Sequence, residues 1–214
     1  MGAVMVRKTK EDTQQTYDAL LDAAERIFCE KGVSNTTLND VASAAGMTRG
    51  AIYWHFKDKK ELFHALCDRA FMPMEILLNE ISSARSDDPI ASIKKLYSHF
   101  IEQASNNTRQ TRVFDIIFHR CEKTAEMESF IEEREGKREC LRQVQDLFDQ
   151  AVEQKILPPE TDTWIAVQIT HSFLIGVVHE WLIDPKAYDL ANYGEAMIDS
   201  VLAGLIAKPP LRKA

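Results

Sequence analysis

Glycine and proline are scarce in these 214 residues, eight and seven in number, and long stretches run without either. That scarcity favours helices. No stretch shows the period-two alternation of a half-buried strand, and there are no repeats or low-complexity segments. Cysteine is rarer still. Cys29, Cys67, Cys121 and Cys140 stand far apart, with no C-x-x-C pair and no signal-peptide pattern ahead of them. A disulfide framework or zinc site is therefore not expected, no cofactor is implied, and a reducing cytoplasm is the natural setting. No apolar run approaches the roughly 18 residues of a membrane span, so no membrane partner is expected. An excess of positive charge is also missing: the net charge is −7, which at first argues against nucleic acid.

The distribution of charge matters more than its sum. Through Leu62 there are nine Lys/Arg and nine Asp/Glu, and the remainder, with 17 and 24, carries the whole deficit. Arg7, Lys8 and Lys10 precede any acid, and Arg49, Lys57, Lys59 and Lys60 cluster within a dozen residues. A locally basic face on an acidic chain is compatible with DNA.

Hydrophobic residues at 45% and charged residues at 28% are an ordinary globular balance. Leu20, Ala23, Ala24, Ile27 and Phe28 form one apolar stripe of a first helix over about 11–31, ended by Gly32. Thr37, with Asp40 three residues on, reads as the N-cap of a short second helix that Gly46 ends. Thr48 opens a third helix to about Trp54. Asp58, with Glu61, caps a fourth that reaches about residue 84 and is kinked by Pro73. Further helices are expected near 89–104, 109–122, 125–155, 161–184 and 189–207. The expected fold is all-α, with about nine helices.

Two short helices separated by one glycine and a couple of residues have the spacing of a helix-turn-helix. Ala42, Ala44 and Ala45 permit close approach, Met47 plugs the angle, and Ile52 and Phe56 tie the third helix to the first. Thr48, Arg49, Gly50, Ala51, Tyr53 and His55 then lie on or near the outward face. Arg49 suits a guanine edge and Ala51 a thymine methyl. Thr37, Tyr53, His55 and Lys59 suit phosphates. Trp54 and Phe56 are read as serving the core, although Trp54 stays in the candidate DNA-contact set with Thr36 and Lys57. Arg7, Lys8 and Lys10 form a basic arm for phosphate or minor groove. On spacing alone a compact helical corner that binds no DNA fits as well; the run Tyr53-Trp54-His55-Phe56 tips the balance, because four consecutive rings cannot all be buried on one helix face.

Thr48-Arg49-Gly50-Ala51-Ile52-Tyr53-Trp54-His55-Phe56, followed by Lys57-Asp58-Lys59 and Leu62, resembles the recognition-helix signature of the TetR family of transcriptional repressors. Thr36-Thr37-Leu38 and Val41-Ala42-Ala45-Gly46 match the same pattern. The opening Val6-Arg7-Lys8-Thr9-Lys10 resembles the branch that represses multidrug efflux pumps. So do Ile116-Ile117-Phe118-His119-Arg120-Cys121-Glu122, Trp181-Leu182 with Pro185, and the ending Pro210-Leu211-Arg212-Lys213. Arg120 stands where lysine is usual and Asp115 where glutamate is usual. The resemblance implies an N-terminal arm and helix-turn-helix DNA-binding domain over 1–57 and a helical ligand-binding and dimerisation domain over 58–214. It implies a homodimer through the last two helices, operator double-stranded DNA as partner, and release by a small hydrophobic effector such as a drug, antibiotic or plant-type aromatic. An efflux operon is the expected target; a catabolic or biosynthetic operon is the alternative.

The later residues allow this independently. Val167, Phe173, Leu174, Val177 and Val178 lie nearly all round one helix, and Met197, Ile198, Val201, Leu202 and Leu205 on the last. Such helices need burial on more than one face. Ala70, Met74, Ile93, Leu96, Tyr97, Phe100, Phe114, Ile117, Phe118, Cys140, Val144, His171, Leu174, Ile175 and His179 are the candidate effector lining, mostly apolar with a few polar points. Some relatives carry an acid or arginine where Ile175 and His179 stand, and a glutamate where Phe71 stands; these departures favour neutral aromatic effectors over cations. His171 and His179 are two helical turns apart, about 12 Å, too far to share a metal ion. No nucleophile, base and orienting acid assemble from local spacing, so enzymatic activity is not expected; a helical binding protein or enzyme without DNA binding is the alternative of another class.

Overall fold

The computed structural model describes residues 10–83, 85–121 and 135–212, and within them the fold is all-α. Nine α-helices follow in order: α1 Lys10–Lys31, α2 Leu38–Ala44, α3 Arg49–His55, α4 Lys59–Ser82, α5 Pro89–Asn106, α6 Thr108–Asp115, α7 Glu135–Glu153, α8 Thr163–Ile183 and α9 Leu190–Ala207. The only β-type pairing among the described residues is an isolated bridge between Thr161 and Leu211. The expected caps are in place. Gly32 (φ 79°) and Gly46 (φ 68°) adopt the left-handed backbone that lets a chain leave a helix without Cβ strain. Asp88, Asp162 and Asp189 each accept a backbone N–H at the start of α5, α8 and α9. α4 is one continuous helix through Pro73.

One expectation is corrected. The helix expected over 109–122 is α6 followed by a π-helical turn, Ile116–Arg120. The wider turn suits the side chain of Asp115, whose oxygens meet His119 Nδ1 at 3.0 Å and accept from Arg120 Nε at 3.2 Å. α8 is long and apolar enough to cross a membrane by length and composition alone. It packs against α5, α7 and α9, with Ala166, Val167, Thr170, Leu174, Val177 and Val178 buried. The first part of the helix expected over 125–155 lies outside the described residues.

The described residues form two compact units. One contains α1–α3, α4 as far as Arg69, and the π-turn from Asp115; the other contains α4 from Ala70, α5, α6 as far as Phe114, and α7–α9. The chain thus passes from one unit to the other inside α4, beyond residue 57. The reason is that the first turns of α4 belong to the first core: Leu62, Phe63 and Leu66 are buried there, and Phe63 meets Phe28 edge-on at 6.0 Å.

In the first unit α1 is the platform. Leu20, Leu21, Ala24 and Phe28 are buried, and so are Ile52 and Phe56, each large side chain contributing about 1.5–3 kcal/mol by leaving water. Arg69 holds α4 to α1 through Asp22 (2.8 Å) and the nearly buried Glu25 (3.4 Å). Breaking such a pair leaves a buried charge without compensation.

In the second unit α5 is the hub, packing against α7, α8 and α9 with Ile93, Leu96, Phe100, Ile101 and Ala104 buried. α9 approaches α5 so closely at Gly194 that an added Cβ would overlap the Ile101 Cγ2 methyl. Gly194→Ala is therefore expected to destabilise the chain by about 1–3 kcal/mol through overpacking, net of up to about 1 kcal/mol gained in helix propensity. In an Ile101→Ala background the same change becomes neutral or stabilising. Urea unfolding of the four proteins of this double-mutant cycle checks it, and additivity would refute the contact.

Candidate nucleic-acid interface

α2 and α3 are seven residues each, too short to persist alone in water, so their ends must be fixed by the rest of the unit. At the start of α2 the Thr37 hydroxyl accepts from Asp40 N at 3.2 Å and donates to Asp40 Oδ2 at 2.6 Å, while Thr37 N donates to the same oxygen at 2.9 Å. These bonds from Thr37, helped by Lys31, hold the Asp40 carboxyl below its usual pKa. At the other end of α2, Arg26 on α1 donates to Ala44 O at 2.8 Å. Met47 N donates to Ala42 O at 2.8 Å, closing the turn. Thr48 caps α3 by accepting from Ala51 N. The α2–α3 unit is thus capped at both starts and pinned by arginine at its middle.

Burial sorts the aromatic run. Phe56 and Ile52 are buried, with the Phe56 ring 5.1 Å from Tyr17 on α1. His55 is half-buried, 5.8 Å from the same tyrosine. Trp54, read from the sequence as serving the core, is instead 71% exposed and meets His55 edge-on at 4.6 Å. Its position in the helix explains this: Ile52 and Phe56 are one turn apart on the buried face, and Trp54 falls midway between them on the other. The Arg49 guanidinium lies 5.3 Å from the Tyr53 ring centroid. Thr48, Arg49, Gly50, Tyr53 and Trp54 are exposed and Ala51 half-buried. α3 therefore presents a solvent face carrying one cation, two large rings and two small residues.

The remaining candidates divide. Lys10 is exposed at the start of α1, and Lys57 is exposed before α4; Arg7 and Lys8 lie outside the described residues. Thr37 is exposed and occupied with Asp40. Thr36 is buried, its hydroxyl donating to Gly32 O at 2.8 Å, so it holds the loop between α1 and α2 and does not face solvent. Lys59 is part-buried and donates from Nζ to Val33 O at 2.8 Å and Ser34 O at 3.1 Å. Arg26 and Arg69 escaped the sequence reading. The signal available for them was a cation on a helix whose opposite face carries the core stripe.

The effector candidates fall in both units. Ile117 and Phe118 belong to the π-turn of the first. In the second, Ala70, Ile93, Leu96, Tyr97, Phe100, Phe114, Val144 and Leu174 are buried, and Met74, Cys140, His171, Ile175 and His179 are half-exposed. Phe114 stacks obliquely on Phe100 (5.0 Å) and Phe71 (5.5 Å). Tyr97 shares a buried hydrogen bond of 2.9 Å with Thr170, and burial raises its phenol pKa. Gln110 donates to Ala70 O at 3.0 Å. His179 sits 3.5 Å from Glu180. Thr170 and Gln110 were missed; Thr170 was findable as a hydroxyl on an otherwise apolar face of α8. A groove of about 740 Å³ opens elsewhere in this unit, lined by residues including Pro73, Ile76, Lys94, Ser98 and Glu195, and none of the candidate residues lines it.

Comparison with known proteins agrees with this architecture. Residues 20–66 match the family model of bacterial regulatory proteins of the tetR family, and residues 88–206 that of the C-terminal region of MAATS-type transcriptional repressors. The HTH-type transcriptional regulator AcrR of Shigella flexneri is 33% identical over 211 residues, covering 97% of each chain. NalD, the secondary repressor of the MexAB-OprM multidrug efflux pump in Pseudomonas aeruginosa, superposes with a TM-score of 0.78 at 32% identity, over 91% of this chain and 98% of that one. SmeT, the repressor of the Stenotrophomonas maltophilia multidrug efflux pump SmeDEF, gives 0.75 at 32% identity over 90% and 91% of the chains. Its complex with triclosan gives 0.76 at 29% identity over 94% and 100%.

The capping geometry has a measurable consequence. Thr37→Ala is expected to cost about 1 kcal/mol, and Thr37→Ser to restore most of it, as measured by urea unfolding. Equal stability of all three would show that the cap does not hold α2.

Proposed function

The chain belongs to the TetR family of bacterial regulatory proteins, and from that premise we propose that it represses an efflux-type operon by holding a palindromic operator as a homodimer. Release follows when a small neutral aromatic compound enters the second unit. The observation that carries the reading is the solvent face of α3, where Arg49, Tyr53 and Trp54 stand exposed while Ile52 and Phe56 bury. Large rings are seldom left in water on a well-packed helix without a partner.

In the proposed complex Arg49 reads a guanine edge in the major groove, with the Tyr53 ring behind it. A bidentate contact of this kind discriminates by about 1–3 kcal/mol. Thr48, Gly50 and Ala51 allow the backbone close to the bases. Trp54, His55, Tyr53 and Lys57 approach the phosphates, and Arg7, Lys8 and Lys10 form an arm that adds to the salt dependence. The operator places this action in the cytoplasm.

A dimer is required because two recognition helices must enter grooves about 34 Å, or a multiple, apart. The proposed interface is α8 with α9. Trp164, Ile165 and Ile169 are each 42% exposed on α8, and Tyr193 is exposed on α9, an apolar surface that an isologous partner would cover.

For the effector, the Phe71, Phe100 and Phe114 cluster supplies aromatic surface, and the Tyr97–Thr170 pair is a polar point. That SmeT has been solved with triclosan supports a neutral aromatic ligand here. Phe71, Phe100 and Phe114 all belong to the second unit. A hundredfold loss of operator affinity requires about 2.7 kcal/mol of differential binding to the two states.

Arg49→Ala is expected to abolish specific binding in a fluorescence-anisotropy titration with a palindromic site from the chain's own promoter region. Calorimetry should show triclosan binding unchanged. Loss of both activities would indicate misfolding, and retention of specific DNA binding would refute the role of Arg49. Tight ethidium binding that ignores substitutions at Ile175 and His179 would overturn the preference for neutral compounds.

A further inference from the structure

Lys59 is the first residue of α4. A cation is electrostatically disfavoured in the first turn of a helix, where the dipole is positive. From the sequence Lys59 suits a phosphate, and the structure shows a different partner. Lys59 Nζ donates to Val33 O at 2.8 Å and to Ser34 O at 3.1 Å, the carbonyls that follow the C-terminal end of α1. There a cation is favoured, and charge-assisted bonds to carbonyl oxygens are stronger than neutral ones.

The loop held in this way leads directly into the interface. Val33 N donates to Arg120 O of the π-turn at 2.9 Å, and Thr36 N to Val33 O at 3.3 Å. The Thr36 hydroxyl donates to Gly32 O at 2.8 Å, and the next residue is Thr37, the N-cap of α2. The buried Ser34 hydroxyl has no hydrogen-bond partner, so that side chain does not help to hold the loop. The base of α4 is fixed in turn by Asp58, which accepts from Glu61 N at 2.8 Å, and by Glu61, which accepts from Lys57 N at 2.6 Å.

We propose that Lys59 is a positioning residue for operator recognition: its ammonium clamps the Val33–Ser34 carbonyls, fixing where α2 begins and hence where α3 points, and makes no phosphate contact. The clamp rests on the DNA-binding reading of α3 for its consequence but on the first unit alone for its geometry.

The two roles differ in measurable ways. A phosphate contact releases counterions, so its loss makes the slope of log affinity against log salt shallower by about 0.9 and weakens all duplexes alike. A clamp contributes no counterion release. Lys59→Met is expected to lose about tenfold or more in operator affinity with the salt slope unchanged, non-specific duplex binding preserved, and much of the affinity recovered in Lys59→Arg. A shallower slope with equal loss on specific and non-specific DNA, or no loss at all, overturns the proposal.

The full wild-type chain supplies a second measurement that needs no variant to fold. Its lysines are acetylated under limiting reagent and quantified by mass spectrometry, with and without operator DNA. Lys59 is expected to react about tenfold more slowly than exposed Lys57 in the free protein, with no further protection on DNA. Fast reaction in the free chain, protected only by DNA, overturns the clamp. If the wild-type chain binds no duplex yet shields Lys59, the DNA reading fails and the clamp geometry stands.

Discussion

A helix of seven residues has no stability of its own, and this chain rests its interface on two of them. Forming the first turn fixes several residues for one hydrogen bond, so α2 and α3 exist only as far as their ends are satisfied and their apolar sides covered. Thr37, Asp40 and Thr48 satisfy the starts, Arg26 holds the end of α2, and α1 covers the sides through Phe28, Ile52 and Phe56. The recognition face is therefore a property of the first unit as a whole. Its outward residues are free for a ligand because the inward ones carry the folding.

Charge is used in two different ways within that unit. Arg49, Lys10 and Lys57 stand on its surface, where attraction to a polyanion is long-ranged and weakened by salt. Arg26, Lys59 and Arg69 are turned onto carbonyls and carboxylates of the protein itself, where geometry decides their worth. The six cations thus divide into three that stand on the surface and three that are bonded to groups of the protein itself. A count of basic residues does not make this distinction.

The second unit solves a different problem. α8 is apolar almost all round, and α5, α7 and α9 cover only part of it, leaving Trp164, Ile165 and Ile169 partly in water. The tight approach of α9 to α5 at Gly194 uses one face of α9 and leaves its exposed face outward. Family membership and this uncovered surface point the same way, toward a second copy. The aromatic cluster around Phe114 is packed, its ring against those of Phe71 and Phe100.

How much of this was legible in the sequence follows from the range of the forces involved. Helix caps are local: Thr37 with Asp40, Thr48, Asp58 with Glu61, and the left-handed Gly32 and Gly46 are all visible within four residues. The apolar stripe of α1 is periodic, so its core role could be read too. The π-turn was not legible, because nothing local separates five residues of π-helix from α-helix until Asp115 has chosen His119 and Arg120 as partners. The exposure of Trp54 was legible and misjudged: the large apolar area of a tryptophan suggests burial, but the one-turn spacing of the inward Ile52 and Phe56 already sets it on the opposite face. Lys59 is the sharpest case. Its residue type and neighbours indicate a phosphate contact, and only the fold, by bringing residue 33 beside residue 59, supplies the carbonyls that occupy its ammonium. Apart from the π-turn, helix positions, caps and family membership could be read along the chain; which side chains stay available to act emerged only on folding, because that depends on contacts between residues far apart in the chain.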